Sequence, residues 1–152
     1  NKQDKSYEKC ILDNINEKFH HKLIILPHMH HIKFMSLQKN CNLILDSFPF
    51  NGGTTTLEAL GLDKIVIGLD QEYLDTTYLP QTCLNAYYKI IGIQGLTFKT
   101  IPELINAVKI VQKNPKEQER LERLISDNNN KLFHDENAVK EWERVFTSLM
   151  YN

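Results

Sequence analysis

The chain has 152 residues, 41% of them hydrophobic, and a formal net charge of −1. That length suits one domain with a sizeable core, and so balanced a charge gives no electrostatic footprint for nucleic acid or an acidic membrane surface. No apolar run reaches the roughly 20 residues of a membrane span, and the opening NKQDKSYEKC has no apolar signal-peptide core. The three cysteines, Cys10, Cys41 and Cys83, are odd in number and far apart, which argues for reduced thiols in a cytoplasmic compartment rather than a disulfide scaffold. A chain opening at Asn1 instead of methionine is expected to be a piece of something longer.

In chain order, Tyr7, Ile11, Leu12, Ile15 and Phe19 carry the spacing of one helical face. Lys22 to Pro27, KLIILP, is a continuous apolar run of strand length and predicts a parallel inner strand. His30 to Asn40 reads as a helix with Phe34 and Leu37 on one side, and Lys64 to Leu69, KIVIGL, as another strand. Gln71 to Ala86 has no clear pattern, and Pro80 interrupts any helix there. Lys89 to Ile93 is expected to be a short strand. Pro102 opens a helix that reaches Lys113. Charged helices over Lys116 to Phe133, loosened by Asn128-Asn129-Asn130, and over Glu136 to Met150 close the chain. Strands alternating with helices predict an α/β fold, a Rossmann-like parallel sheet flanked by helices.

The central stretch is Asn42 to Leu60, NLILDSFPFNGGTTTLEAL. An apolar run ends at Asp46, Pro49 and Asn51-Gly52-Gly53 turn the chain, and Thr54-Thr55-Thr56 opens a helix that should end at Gly61. Three β-branched residues build a poor helix interior. At a helix start they place three hydroxyls and free N–H groups toward anything anionic, although the same residues also suit ordinary capping. In a parallel sheet, ligands lie at the C-terminal ends of strands. Two lips are expected to face each other across one crevice there, Pro27 to His31 and Phe48 to Thr55.

From Leu45 to Leu60, LDSFPFNGGTTTLEAL resembles the nucleotide-sugar-binding signature of the O-linked N-acetylglucosamine transferase/SPINDLY family, and a weaker likeness runs from about Lys22 to the C-terminus. Those are inverting GT-B glycosyltransferases that use a UDP-sugar or a GDP-sugar as donor substrate, with no cofactor and no catalytic metal. The resemblance implies that residues 1–152 are part of the C-terminal, donor-binding half of a GT-B fold, whose N-terminal half lies outside the chain. It places diphosphate contacts on Thr54 and Thr55 and the ribose partner on Glu58. The family often has histidine where this chain has Gly53, a turn position that helps hold the diphosphate. The base falls on Met29, His31 and Phe34, with Phe34 as the stacking ring; a phenylalanine at that helical position also suits plain core.

His20, His21, His28, His30 and His31 suggest a metal, but the six-residue run between the two groups would span roughly 20 Å as a strand, so they cannot share an ion. After Leu69 the family has a glycine and an arginine-containing helix; residues 70–88 have no arginine. The implied partners are a nucleotide-sugar donor, a protein or glycan acceptor, and the missing half, which supplies a lysine to the leaving diphosphate. The chain alone is expected to transfer nothing. The alternatives are a non-catalytic nucleotide-binding or interaction module, and another GT-B enzyme such as a nucleotide-sugar epimerase.

Overall fold

β2 (Val66–Leu69) is the middle strand of a three-stranded parallel sheet, between β1 (Ile44–Leu45) and β3 (Thr97–Phe98). The computed structural model describes residues 2–48, 50–70 and 83–150 and falls into two units, Asn1–Phe34 and Met35–Asn152. Ile44 and Leu45 pair with Val66 and Ile67, whereas Gly68 and Leu69 pair with Thr97 and Phe98. The outer strands therefore flank different halves of β2. Ile65, Val66 and Ile67 have no exposed surface, as a strand covered on both faces requires.

Helices α3 (Gly53–Gly61), α4 (Cys83–Ile91), α5 (Ile101–Lys113) and α6 (Pro115–Ser126) flank this sheet. Their inward residues, among them Leu60, Leu84, Tyr88, Val111 and Ile125, complete the core. The starts of α5 and α6 have local causes. Thr100 and Glu103 form a reciprocal capping box ahead of Pro102, and the Asn114 side chain accepts from Glu117 N–H ahead of α6. At the end of α3 the backbone turns left-handed at Asp63, with φ of 62°. Asn129 holds that corner by donating to Asp63 Oδ1 at 2.8 Å and Leu60 O at 3.1 Å.

Tyr88 covers a gap in the ladder. Residues 66, 68 and 70 face the β3 side of β2, where Gly68 and Asp70 donate to Leu96 and Phe98 carbonyls. Val66 lies before β3 begins. The Tyr88 hydroxyl stands in for the missing strand, donating to Val66 O at 2.6 Å and accepting from Val66 N at 3.2 Å.

Four sequence expectations need correction. Lys22 to Pro27 is not a strand: a 3-10 turn covers Glu17–Lys22, no regular element covers residues 23–30, and Ile24 is 85% exposed. An apolar run becomes a strand only where a ladder receives its N–H and C=O groups, and none does among the described residues. Lys89 to Ile93 is the end of α4 and a turn, because Leu84, Tyr88 and Ile91 bury one helical face that the run of apolar residues obscured. The expected helix over Tyr7 to Phe19 breaks after α1 (Lys2–Asp13). There Asn14 donates to Cys10 O and Asn16 accepts from Lys18 N–H, local bonds that compete with the helix. The helix over Lys116 to Phe133 stops at Ser126 and resumes as a 3-10 turn at Asn129–Leu132, where the asparagines loosen it. The expectation over Gln71 to Ala86 lies mostly outside the described residues; Cys83 to Ala86 are helical. α7 (Glu136–Met150) matches its expected bounds. Among the described residues no helix is long and apolar enough to cross a membrane.

Candidate functional site

The turn from β1 into α3 is built around one carboxylate. Asp46 N–H makes the last ladder bond, to Ile67 O at 2.9 Å. Its side-chain Oδ1 accepts from Ser47 N–H at 3.0 Å, Gly52 N–H at 2.8 Å and the Thr56 hydroxyl at 3.1 Å. Ser47 Oγ donates to Phe50 O, and Asn51, only 2% exposed, donates to Ser47 O at 3.2 Å. The close approaches here require glycine. A Cβ on Gly52 would lie 2.5 Å from Thr55 Oγ1 and 2.9 Å from Thr56 Oγ1, and one on Gly68 would lie 2.9 Å from Asp46 Cβ.

Gly52 is the N-cap of α3 and brings no side chain to it. The N–H groups of Gly53, Thr54 and Thr55 find no acceptor among the described residues, so the positive end of the helix dipole is open. Thr54 and Thr55 are exposed beside those groups. Two side chains steady this first turn through its carbonyls: Gln38 of α2 (His31–Asn40) donates to Thr55 O at 3.2 Å, and Tyr87 of α4 donates to Gly53 O at 3.4 Å. Burial first, and then the neighbouring Cys83 thiol, push the Tyr87 phenol above its ordinary value, so it remains a donor at neutral pH.

Gly53, Thr54, Thr55 and Glu58 come together on one helix. Glu58 is half-buried and follows Thr54 by four residues and Thr55 by three, on the same face. Thr56 departs from the expectation that all three hydroxyls point outward. About 100° of rotation per residue turns it inward, where it is 4% exposed and bound to Asp46. Met29, His31 and Phe34 belong to the other unit. Met29 is half-buried in irregular backbone, while His31 is exposed and Phe34 half-buried, three residues apart on α2. In that unit the His20 ring nitrogen caps carbonyls of Leu12 and Ile15 at 3.1 and 2.8 Å. Among the described residues no three His, Cys, Asp or Glu side chains are grouped to hold a metal ion.

Sequence reasoning missed Gln38 and Tyr87, aimed Thr56 outward, and saw in Asp46 only the end of a strand. The spacing Asp46, Gly52, Thr56 carried a signal, a carboxylate that meets a turn N–H and a hydroxyl one helical turn later. The two adjacent glycines should respond differently to alanine. Gly53→Ala meets nothing within 4 Å among the described residues and should leave the unfolding free energy unchanged or slightly raised, by under about 1 kcal/mol. Gly52→Ala should cost about 1–3 kcal/mol, because the Thr56 hydroxyl in its way is held by Asp46. Equal midpoints for both variants would contradict this packing.

No family profile matches the chain, and no curated protein matches it. Among solved structures, a mutant O-GlcNAc transferase of Thermobaculum terrenum is similar with a TM-score of 0.65 at 20% identity. The likeness covers 80% of this chain and 23% of that one, so the chain spans under a quarter of the transferase's length. At that identity the likeness is one of fold: a mixed α/β, Rossmann-like domain with a parallel sheet flanked by helices, similar to a GT-B glycosyltransferase domain.

Proposed function

We propose that this chain is the donor-binding part of an inverting glycosyltransferase, which moves a sugar from a nucleoside diphosphate to a protein hydroxyl or similar acceptor. The observation that carries the reading is the uncapped start of α3 at the C-terminal end of β1, in a fold similar to that of an O-GlcNAc transferase. The donor diphosphate sits on the N–H groups of Gly53, Thr54 and Thr55, with the Thr54 and Thr55 hydroxyls donating to the same oxygens. Glu58, one turn along, accepts from the ribose hydroxyls. By the resemblance alone the base falls to Met29, His31 and Phe34, residues of the other unit. In a direct displacement the sugar leaves a nucleoside diphosphate behind, and fixed donors aimed at that developing charge lower the barrier.

Calorimetric titration of the chain with UDP tests this, with an expected Kd on the order of high micromolar to millimolar for a single pocket wall. Glu58→Gln should weaken UDP more than 2′,3′-dideoxy-UDP, and equal losses would remove the ribose contact. A chain that binds no UDP at millimolar concentration, roughly the weak end of that range, would overturn the reading.

A further inference from the structure

We infer that Asp46 is the positioning residue of the donor site: by gathering Ser47 N–H, Gly52 N–H and the Thr56 hydroxyl on one oxygen, it fixes the turn that aims the first α3 N–H groups at the ligand. This rests on the donor-site reading above. Asp46 is an odd neighbour for such a site, since a negative charge beside the turn repels a diphosphate. Its placement is therefore paid for by geometry. One oxygen ties together the end of β1, the N-cap residue Gly52, and a residue in the first turn of α3.

The surroundings are shaped to admit that side chain. Gly68 on β2 leaves the space Asp46 occupies, since a Cβ there would approach Asp46 Cβ to 2.9 Å and Leu84 Cδ2 to 2.7 Å. Gly52 leaves space on the other side, where a Cβ would lie 3.2 Å from Asp46 Oδ1. Among the described residues the second carboxylate oxygen, Oδ2, is buried without a hydrogen-bond partner, and so is Oδ1 of the neighbouring Asn51. An acceptor set that leaves one oxygen idle while loading the other with three donors serves the turn.

An isosteric pair separates acceptor from charge. Asp46→Asn keeps an oxygen at the Oδ1 position and loses the charge; Asp46→Ala loses both. Thr56→Val removes one of the three donors in a side chain of the same shape. UDP affinity, measured by calorimetry, should stay within about threefold of wild type or tighten in Asp46→Asn, and fall about tenfold or more in Asp46→Ala, with Thr56→Val between them. The Gly52 amide, followed by NMR, should keep its hydrogen-exchange protection in Asp46→Asn and lose it in Asp46→Ala. Wild type that binds UDP alongside an Asp46→Ala chain that binds it equally well overturns the proposal. Wild type that fails to bind UDP overturns the donor-site reading instead, and the Gly52 amide then decides on Asp46 by itself: unchanged protection in Asp46→Ala shows that it does not hold the turn.

Discussion

Replacing Tyr88 by phenylalanine should lower the unfolding free energy by about 2–6 kcal/mol, because it leaves two buried backbone groups unpaired at about 1–3 kcal/mol each. The hydroxyl satisfies both the N–H and the C=O of Val66, a residue with no exposed surface, at the point where β3 does not reach. Phenylalanine fills nearly the same volume, so the loss isolates the hydrogen bonds from the packing. Tyr87→Phe is the control: its bond to Gly53 O is part-buried, and the loss of its hydroxyl should cost about 0.5–1.5 kcal/mol. Burial also pushes the Tyr88 phenol well above its ordinary value of 10.0. A raised value in the folded state means that the unfolded chain releases its proton first as pH climbs. Stability from this group is complete below the ordinary value and is lost above it. Urea unfolding followed by circular dichroism should show the gap between wild type and Tyr88→Phe narrowing as pH passes about 10. A constant gap would mean that the phenol is not shielded from ionisation, and no gap at neutral pH would mean that another donor and acceptor reach Val66.

The sheet was legible where apolar residues and turn residues agreed. Ile44-Leu45 and Val66 to Leu69 are bounded by a carboxylate, glycines and a charged corner, and both form ladders. Residues 22–27 were more apolar still, yet they form no strand, because strand formation depends on a ladder partner that a local pattern does not encode. In α4 the opposite happened. Lys89 to Ile93 reads as a strand by its density of apolar residues, but Leu84, Tyr88 and Ile91 lie on one buried helical face. The site was legible along one segment. Gly53, Thr54, Thr55 and Glu58 follow each other on α3, so helical geometry alone places them together. Gln38 and Tyr87, which brace the same turn, come from 17 and 34 residues away in sequence, and only the packing of α2 and α4 brings them in.

Replacing both Thr54 and Thr55 by valine should weaken UDP binding by about 1–3 kcal/mol, five- to a hundredfold or so, while leaving the fold as stable as before. The two halves of that expectation have separate causes. Both side chains are exposed and neither caps the helix, since the N-cap is Gly52, so no bond to another described residue is lost with the hydroxyls. Valine and threonine also have similar helix propensities. A diphosphate on the start of α3 would still meet the N–H groups of Gly53, Thr54 and Thr55, so binding should fall without vanishing. Thr56→Val inverts the pattern for stability. Its hydroxyl is buried against Asp46, and losing it should cost about 0.5–1.5 kcal/mol of unfolding free energy. Three consecutive threonines thus divide by direction, two facing outward and one holding the turn. Calorimetry with UDP and urea midpoints for both variants read the division directly. A Thr54→Val/Thr55→Val chain that binds UDP as wild type does would return these two residues to ordinary helix-start chemistry, and the diphosphate would have to be held elsewhere.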